Sequence, residues 1–196
     1  MWSKLYEKKF VFFVLLFTLM PCICFGGEYA VDKGSNMFGI TAGFINASGD
    51  LYEDEKGNSS TTLLIMPSLA HCVVPNFGFG GDLLLLHYKQ GDVGESLLGL
   101  GPKAMFFFGG KDSKAYPYLT LGFYYVTNTI DYGTHSYTTS GTRFKLGGGA
   151  SIMVADHLGL LMEASYNLDN LKPENAKKSE SGNMVIVSIG LAGFTF

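Results

Sequence analysis

Charge is scarce in this chain. Only 16% of its 196 residues are Asp, Glu, Lys or Arg, against ~25% in typical soluble domains. Cysteine is scarcer still. Of three, two lie within the first 26 residues. Cys72 alone remains, which rules out an internal disulfide and a thiolate zinc cluster. Tryptophan occurs once, at Trp2. After residue 26 no stretch approaches eighteen uninterrupted apolar residues, so a spanning helix is not expected. His71, His87, His135 and His157 show no metal-ligand spacing. No metal or cofactor site is expected, and no nucleophile motif marks a catalytic residue.

What is abundant points elsewhere. Apolar residues make up 47%, Gly numbers 26, and 16 Phe accompany 11 Tyr. Glycine and aromatics with few charges suggest β-structure against an apolar medium. The first 26 residues read as a cleavable signal peptide. Lys4, Lys8 and Lys9 form a basic start, and Phe10 to Met20 is an eleven-residue apolar run broken by Pro21. Cys24 and Gly26 supply small residues at −3 and −1 of a cleavage site. The run is too short for the ~20 residues of a spanning helix. A lipoprotein site at Cys22 competes, but Met20 and Pro21 fit it poorly. Removal of residues 1–26 takes away Lys4, Lys8, Lys9 and Glu7. That leaves 11 basic and 16 acidic residues, a net charge of −5, which argues against nucleic acid.

The remainder, 27–196, reads as one domain of eight strands. Each alternates apolar and small or polar residues over about ten positions. The expected strands are 36–46, 61–73, 77–88, 96–108, 116–128, 143–152, 158–168 and 183–196. Leu119, Leu121, Phe123 and Tyr125 oppose Tyr118, Thr120, Gly122 and Tyr124. Phe144, Leu146, Gly148, Ala150 and Ile152 oppose Arg143, Lys145, Gly147, Gly149 and Ser151. In the last segment Val185, Val187, Ile189 and Leu191 share one phase and Phe194 and Phe196 the other; a bulge near Gly190 or Gly193 would reconcile them, and its absence would weaken a reading of the terminal aromatics as a signal. Polar loops after strands one, five (129–141) and seven (169–182) alternate with short turns after two, four and six; the loop after strand three, QGDVGE, is the exception and is short for its side. Long outer loops and short periplasmic turns are the asymmetry of a transmembrane barrel. In lipid every backbone donor and acceptor needs a protein partner, and closing the sheet removes its edges. The fold class is therefore all-β: an eight-stranded antiparallel up-and-down transmembrane β-barrel after a signal peptide.

The segments "IMPSLAHCVVPNFGFGGDLLL", "GPKAMFFFG", "AYPYLTLGFYY", "TRFKLGGGASIMVADHLGLLMEASYNLD" and "SIGLAGFTF" together resemble the bacterial outer-membrane β-barrel domain family, which includes the small OmpA/OmpX-like barrels. The resemblance runs from about Gly34 to Phe196. It implies residence in the outer membrane, among outer-membrane lipids and lipopolysaccharide. It also implies biogenesis by periplasmic chaperones and the barrel-assembly machinery, with Phe194 and Phe196 as a C-terminal assembly signal.

Asp82, Lys103, Arg143, Lys145 and Glu163 fall on the phase opposite the apolar stripe. A Lys or Arg facing hydrocarbon at the midplane costs ~2–4 kcal/mol, so these charges belong inside, paired. The expected network sets Glu163 against Arg143 or Lys145. His87 near Ser96 could belong to a Ser/His/acid triad of a lipid-modifying enzyme near the outer rim, but no nucleophile motif surrounds it, and an interfacial histidine is the plainer reading. Asp50, Glu53, Asp54 and Glu55 lack the spacing of a calcium loop. Tyr52, Tyr88, Tyr116, Tyr118, Tyr124, Tyr125, Tyr132, Tyr137 and Tyr166 are the candidates for an aromatic girdle, with Tyr118 and Tyr124 assigned to the lumen instead. The asparagines of "NAS" (46–48) and "NSS" (58–60) are treated as chance sequons. The leading function is a non-enzymatic envelope-structural or surface-interaction barrel with an unidentified surface ligand. The alternatives are a narrow channel with a charged lumen, a lipid A-modifying enzyme, and a soluble lipocalin-like lipid binder.

Overall fold

A computed structural model describes residues 27–48, 60–90, 93–131, 135–174, 176 and 178–196. Eight strands run in chain order: β1 (Asn36–Ser48), β2 (Ser60–Val74), β3 (Phe77–Gln90), β4 (Val93–Phe107), β5 (Ala115–Asp131), β6 (Ser136–Ala155), β7 (Leu158–Pro173) and β8 (Glu180–Thr195). Each pairs antiparallel with its neighbours, and β1 pairs with β8 to close the barrel.

The strands form where β-branched and aromatic residues alternate with small ones, a pattern that packs well on a pleated surface. Turns fall where that pattern breaks. Asn76, in the Pro75-Asn76 turn between β2 and β3, has φ 65°, the left-handed conformation that Asn tolerates.

Register fixes the barrel's dimensions. The outward row that leaves β5 at Pro117 passes through Ala150, Met162, Ile189, Ala42, Ile65, Leu85 and Leu98. It returns to β5 at Thr127, ten residues further along. A ten-residue stagger over eight strands, with ~3.3 Å per residue and ~4.8 Å between strands, tilts the strands by about 40°. Along β6 the outward apolar side chains run from Phe144 to Val154. At that tilt they span roughly 25 Å, the height of the apolar band of transmembrane barrels.

Three sequence expectations are corrected. The loops expected at 129–141 and 169–182 are largely strand: β5 continues to Asp131, β6 begins at Ser136, β7 continues to Pro173 and β8 begins at Glu180. Hydroxyl-rich residues extend the ladder above the apolar band and carry no hydrophobic alternation to reveal it. The bulge expected in β8 is not there, since its pairing with β1 and β7 is continuous. Phe194 keeps the inward phase and is buried. The register shifts lie in β2, between Cys72 and Val74, and in β6, between Met153 and Ala155. Tyr116 faces inward with Tyr118 and Tyr124, while Tyr125, Tyr137 and Tyr166 are exposed. Exposed Phe38, Phe79, Phe106 and Phe108 provide the aromatic positions near the turn end. Tyr52 and Tyr132, the acidic loop at 50–55 and residues 1–26 lie outside the described residues, as does the side chain of Tyr88.

Candidate functional site

Among the described residues the lumen concentrates the charged side chains, and it is filled in three tiers. The middle tier is charged. Lys103 on β4 and Lys145 on β6 both stand opposite Gly122 on β5. Both ammonium groups reach Asp82 of β3. Lys103 Nζ is 2.7 Å from Asp82 Oδ1, and Lys145 Nζ is 3.5 Å from Oδ2. Lys145 also lies 2.7 Å from Glu163 Oε1. Two cations and two carboxylates thus share one network, as buried charges require.

Two tyrosines complete it. The Tyr124 hydroxyl donates to Asp82 Oδ2 at 2.7 Å, and the Tyr118 hydroxyl to Glu163 Oε2 at 3.3 Å. The ring of Tyr124 occupies the space a side chain on Gly122 would take. The ring of Tyr118 lies likewise over Gly149, which sits in register between Tyr118 and Glu163. The inward glycines therefore leave room for tyrosines to lean across the lumen. The void left among Asp82, Lys103, Lys145, Glu163 and Tyr118 is about 20 Å³, about the room one water needs.

Arg143 stands apart from that network. It pairs with Asp169, directly opposite on β7. Nε donates to Oδ1 and Nη2 to Oδ2, each at 2.7 Å, with both side chains fully buried. Glu163 therefore meets Lys145 and not Arg143. Sequence reading missed Asp169 by placing it in a loop. The signal was present: Gly159, Glu163, Ser165, Asn167 and Asp169 all keep the inward phase.

Above the charged tier lies an apolar one, with Ile45, Leu64, Met66, Leu84, Leu86, Leu97, Tyr124, Val126, Leu171, Met184 and Ile186 packed together. Below it lies a cork that the sequence did not announce. Residues 27–35 fold across the turn end and insert Ala30 and fully buried Val31 among Met37, Met105, Phe107, Tyr116, Tyr118 and Phe194. Backbone bonds tie it down. Asn76 N donates to Val31 O, Gly34 N to Cys72 O, and Cys72 N to Ser35 O, each at 2.8 Å. The Asp32 carboxylate accepts from Glu28 N and Lys33 N, and Ser35 Oγ donates to Tyr29 O. On the solvent side Lys111 Nζ pairs with Glu28 at 3.0 Å, and this carboxylate holds the Lys111 ammonium above its ordinary value.

The remaining candidates lie on the outside. His87 Nδ1 and Ser96 Oγ are 3.1 Å apart, as an exposed cross-strand pair. Among the described residues no group of three His, Cys, Asp or Glu side chains is arranged to hold a metal ion. The rings of Phe196 and His157 meet at a tilt of 42°, with centroids 4.6 Å apart, and His157 Nδ1 lies 3.1 Å from Phe194 O.

No protein-family model matches the chain. No curated protein matches it. Solved structures do. Neisserial surface protein A is 18% identical over 84% of this chain and 100% of its own, with a TM-score of 0.67. The outer membrane protein OprG of Pseudomonas aeruginosa is 15% identical over 86% and 99%, with a TM-score of 0.57. The outer membrane protein AlkL, solved in DMPC bilayers, is 13% identical over 86% and 92%, with a TM-score of 0.54. The fold is that of these outer-membrane barrels.

Proposed function

We propose that this protein is an integral, non-enzymatic barrel of the bacterial outer membrane, and that its contribution is structural or made through its outer surface. The observation that carries this reading is the contrast between its two faces. Leu98, Leu119, Leu121, Phe123, Leu146, Val187 and Ile189 are exposed on the outer wall. A soluble monomer rarely exposes a contiguous apolar patch beyond a few hundred Å², which argues against the lipocalin-like alternative. The charges are inside instead, paired and buried.

The filled lumen speaks against the channel alternative. A conducting path would have to cross the apolar upper tier, the Asp82–Lys103–Lys145–Glu163 network and the Val31 cork. On this reading the charges serve as internal struts. His87 and Ser96 form an exposed cross-strand pair on the outer wall, and the non-enzymatic reading does not draw on them. Phe194 packs against the cork in the folded barrel.

The test is twofold. The protein should fractionate with outer membranes and migrate differently on a gel before and after boiling. In planar bilayers it should pass no ohmic current. Recovery in the aqueous periplasmic extract would refute membrane insertion, and a steady single-channel conductance would refute a closed lumen.

A further inference from the structure

A cleft of about 670 Å³ opens at the turn end, bounded by the cork, the β4–β5 turn and the β6–β7 turn. Pockets that hold ligands have volumes of ~300–1,000 Å³. Tyr29, Tyr116, Met153 and Phe196 give the cleft aromatic and thioether surface. Its charges are unevenly matched. Lys111 is held by Glu28 at 3.0 Å and neighboured by Asp112. Lys114 and Asp156, which line the cleft from the two turns, make no ion pair among the described residues. One cation and one anion are left over.

The sheet is also open at this point. β6 outruns β5: their register ends at Ala115 and Ile152, and the Met153 N–H donates to Lys114 O at 2.8 Å. Beyond Met153, Val154 and Ala155 have no partner on the β5 side among the described residues. Val154, at the register shift, has none on β7 either. Both residues line the cleft and are exposed. A strand edge without a neighbour is a template for an added strand.

We propose that this cleft binds an extended segment of a periplasmic polypeptide, laid along the β6 overhang. An apolar side chain of the segment enters between Tyr29, Tyr116 and Met153. Flanking side chains of opposite charge reach Lys114 and Asp156. Strand addition of this kind takes affinity from main-chain bonds and specificity from side-chain pockets. The periplasmic orientation of the turn end rests on the outer-membrane reading above. A zwitterionic lipid headgroup offers the same pair of charges, but it has no extended backbone to lay along Val154 and Ala155.

The experiment places the full barrel in phosphatidylcholine nanodiscs and titrates it into a fluorescein-labelled, end-blocked pentapeptide, Thr-Lys-Leu-Glu-Thr, with fluorescence anisotropy as the readout. The native protein should bind this peptide at least tenfold more tightly than Thr-Gln-Ser-Gln-Thr. Lys114→Glu, Asp156→Lys and Ala155→Trp, all at exposed positions, should each weaken binding at least fivefold while the heat-modifiable band persists. Equal affinity for the two peptides, or unchanged affinity in a folded variant, overturns the proposal. Should Ala155→Trp fail to fold, the two charge reversals decide. Loss of binding in phosphatidylethanolamine nanodiscs also overturns it and gives the cleft to a lipid headgroup. A barrel that fractionates with membranes yet ignores the peptide refutes only this site. Recovery without detergent refutes the reading beneath it.

Discussion

Arg143 and Asp169 face each other across β6 and β7 in a two-point ion pair, both contacts at 2.7 Å, with neither side chain reaching solvent. Bidentate geometry of this kind is the strong form of a charge-assisted bond. Removing one partner leaves a buried, uncompensated charge, which costs about 3–5 kcal/mol. Asp169→Ala should therefore lower the urea midpoint of the refolded barrel sharply. The double variant Arg143→Met with Asp169→Leu should recover most of the loss. A double variant as unstable as Asp169→Ala alone would show that the pair's role is not charge compensation.

Tyr124 is expected to matter through one oxygen. Tyr124→Phe removes the 2.7 Å bond to Asp82 and leaves the ring. A hydrogen bond to a charged group is worth about 1.5–3 kcal/mol, so unfolding titrations should register a loss of that order. Gly122→Ala should cost at least as much, because the added methyl meets the Tyr124 ring. A neutral result for Gly122→Ala would mean that the ring does not lie where described.

The cork separates stability from closure. Val31→Ala removes two methyl groups from a fully buried site and should cost about 2 kcal/mol. Deleting residues 27–35 should lower the temperature at which the folded gel band disappears. It should still not produce a channel, because the charged and upper apolar tiers remain. Ohmic current from the deletion protein would show that the cork alone seals the lumen.

The outer wall should penalise charge by height. Ala104 lies near the middle of β4's outward stripe between Leu98 and Phe108, whereas Thr142 lies above Phe144 on β6. Arg at the midplane of a barrel's lipid face costs about 2–4 kcal/mol and near the interface about 0–1. Ala104→Arg should be destabilising in lipid vesicles by that larger amount and Thr142→Arg nearly neutral. Equal penalties at both positions would contradict the placement of the apolar band.

The sequence made the strands legible wherever one face was greasy. Period-two alternation from Phe144 to Ile152 or Leu119 to Tyr125 assigns side chains to faces without reference to tertiary structure and places Lys103, Lys145 and Glu163 inside; Asp82, whose phase the run Leu83 to Leu86 hides, goes inside because a charge facing hydrocarbon is costly. Partner choice was harder. Whether Glu163 meets Lys145 or Arg143 depends on the register between β6 and β7, which the alternation within a single strand does not carry. Around Thr138 and Asn170 polar residues occupy the outward face, so the hydrophobic alternation that marks the rest of these strands fades. The cork was missed for a different reason. "GEYAVDKGS" has no regular period, and the burial of Val31 depends on Phe107, Tyr118 and Phe194, all distant in sequence.

The account stands or falls on which side of the wall meets hydrocarbon, and spin labels placed one at a time along β6 from Thr142 to Val154 measure that directly. In lipid vesicles the even positions from Phe144 to Val154 should be accessible to dissolved oxygen and shielded from an aqueous nickel chelate, with Lys145, Gly147 and Gly149 shielded from both. Even positions that relax freely with the chelate, or a profile without the two-residue period, would contradict it.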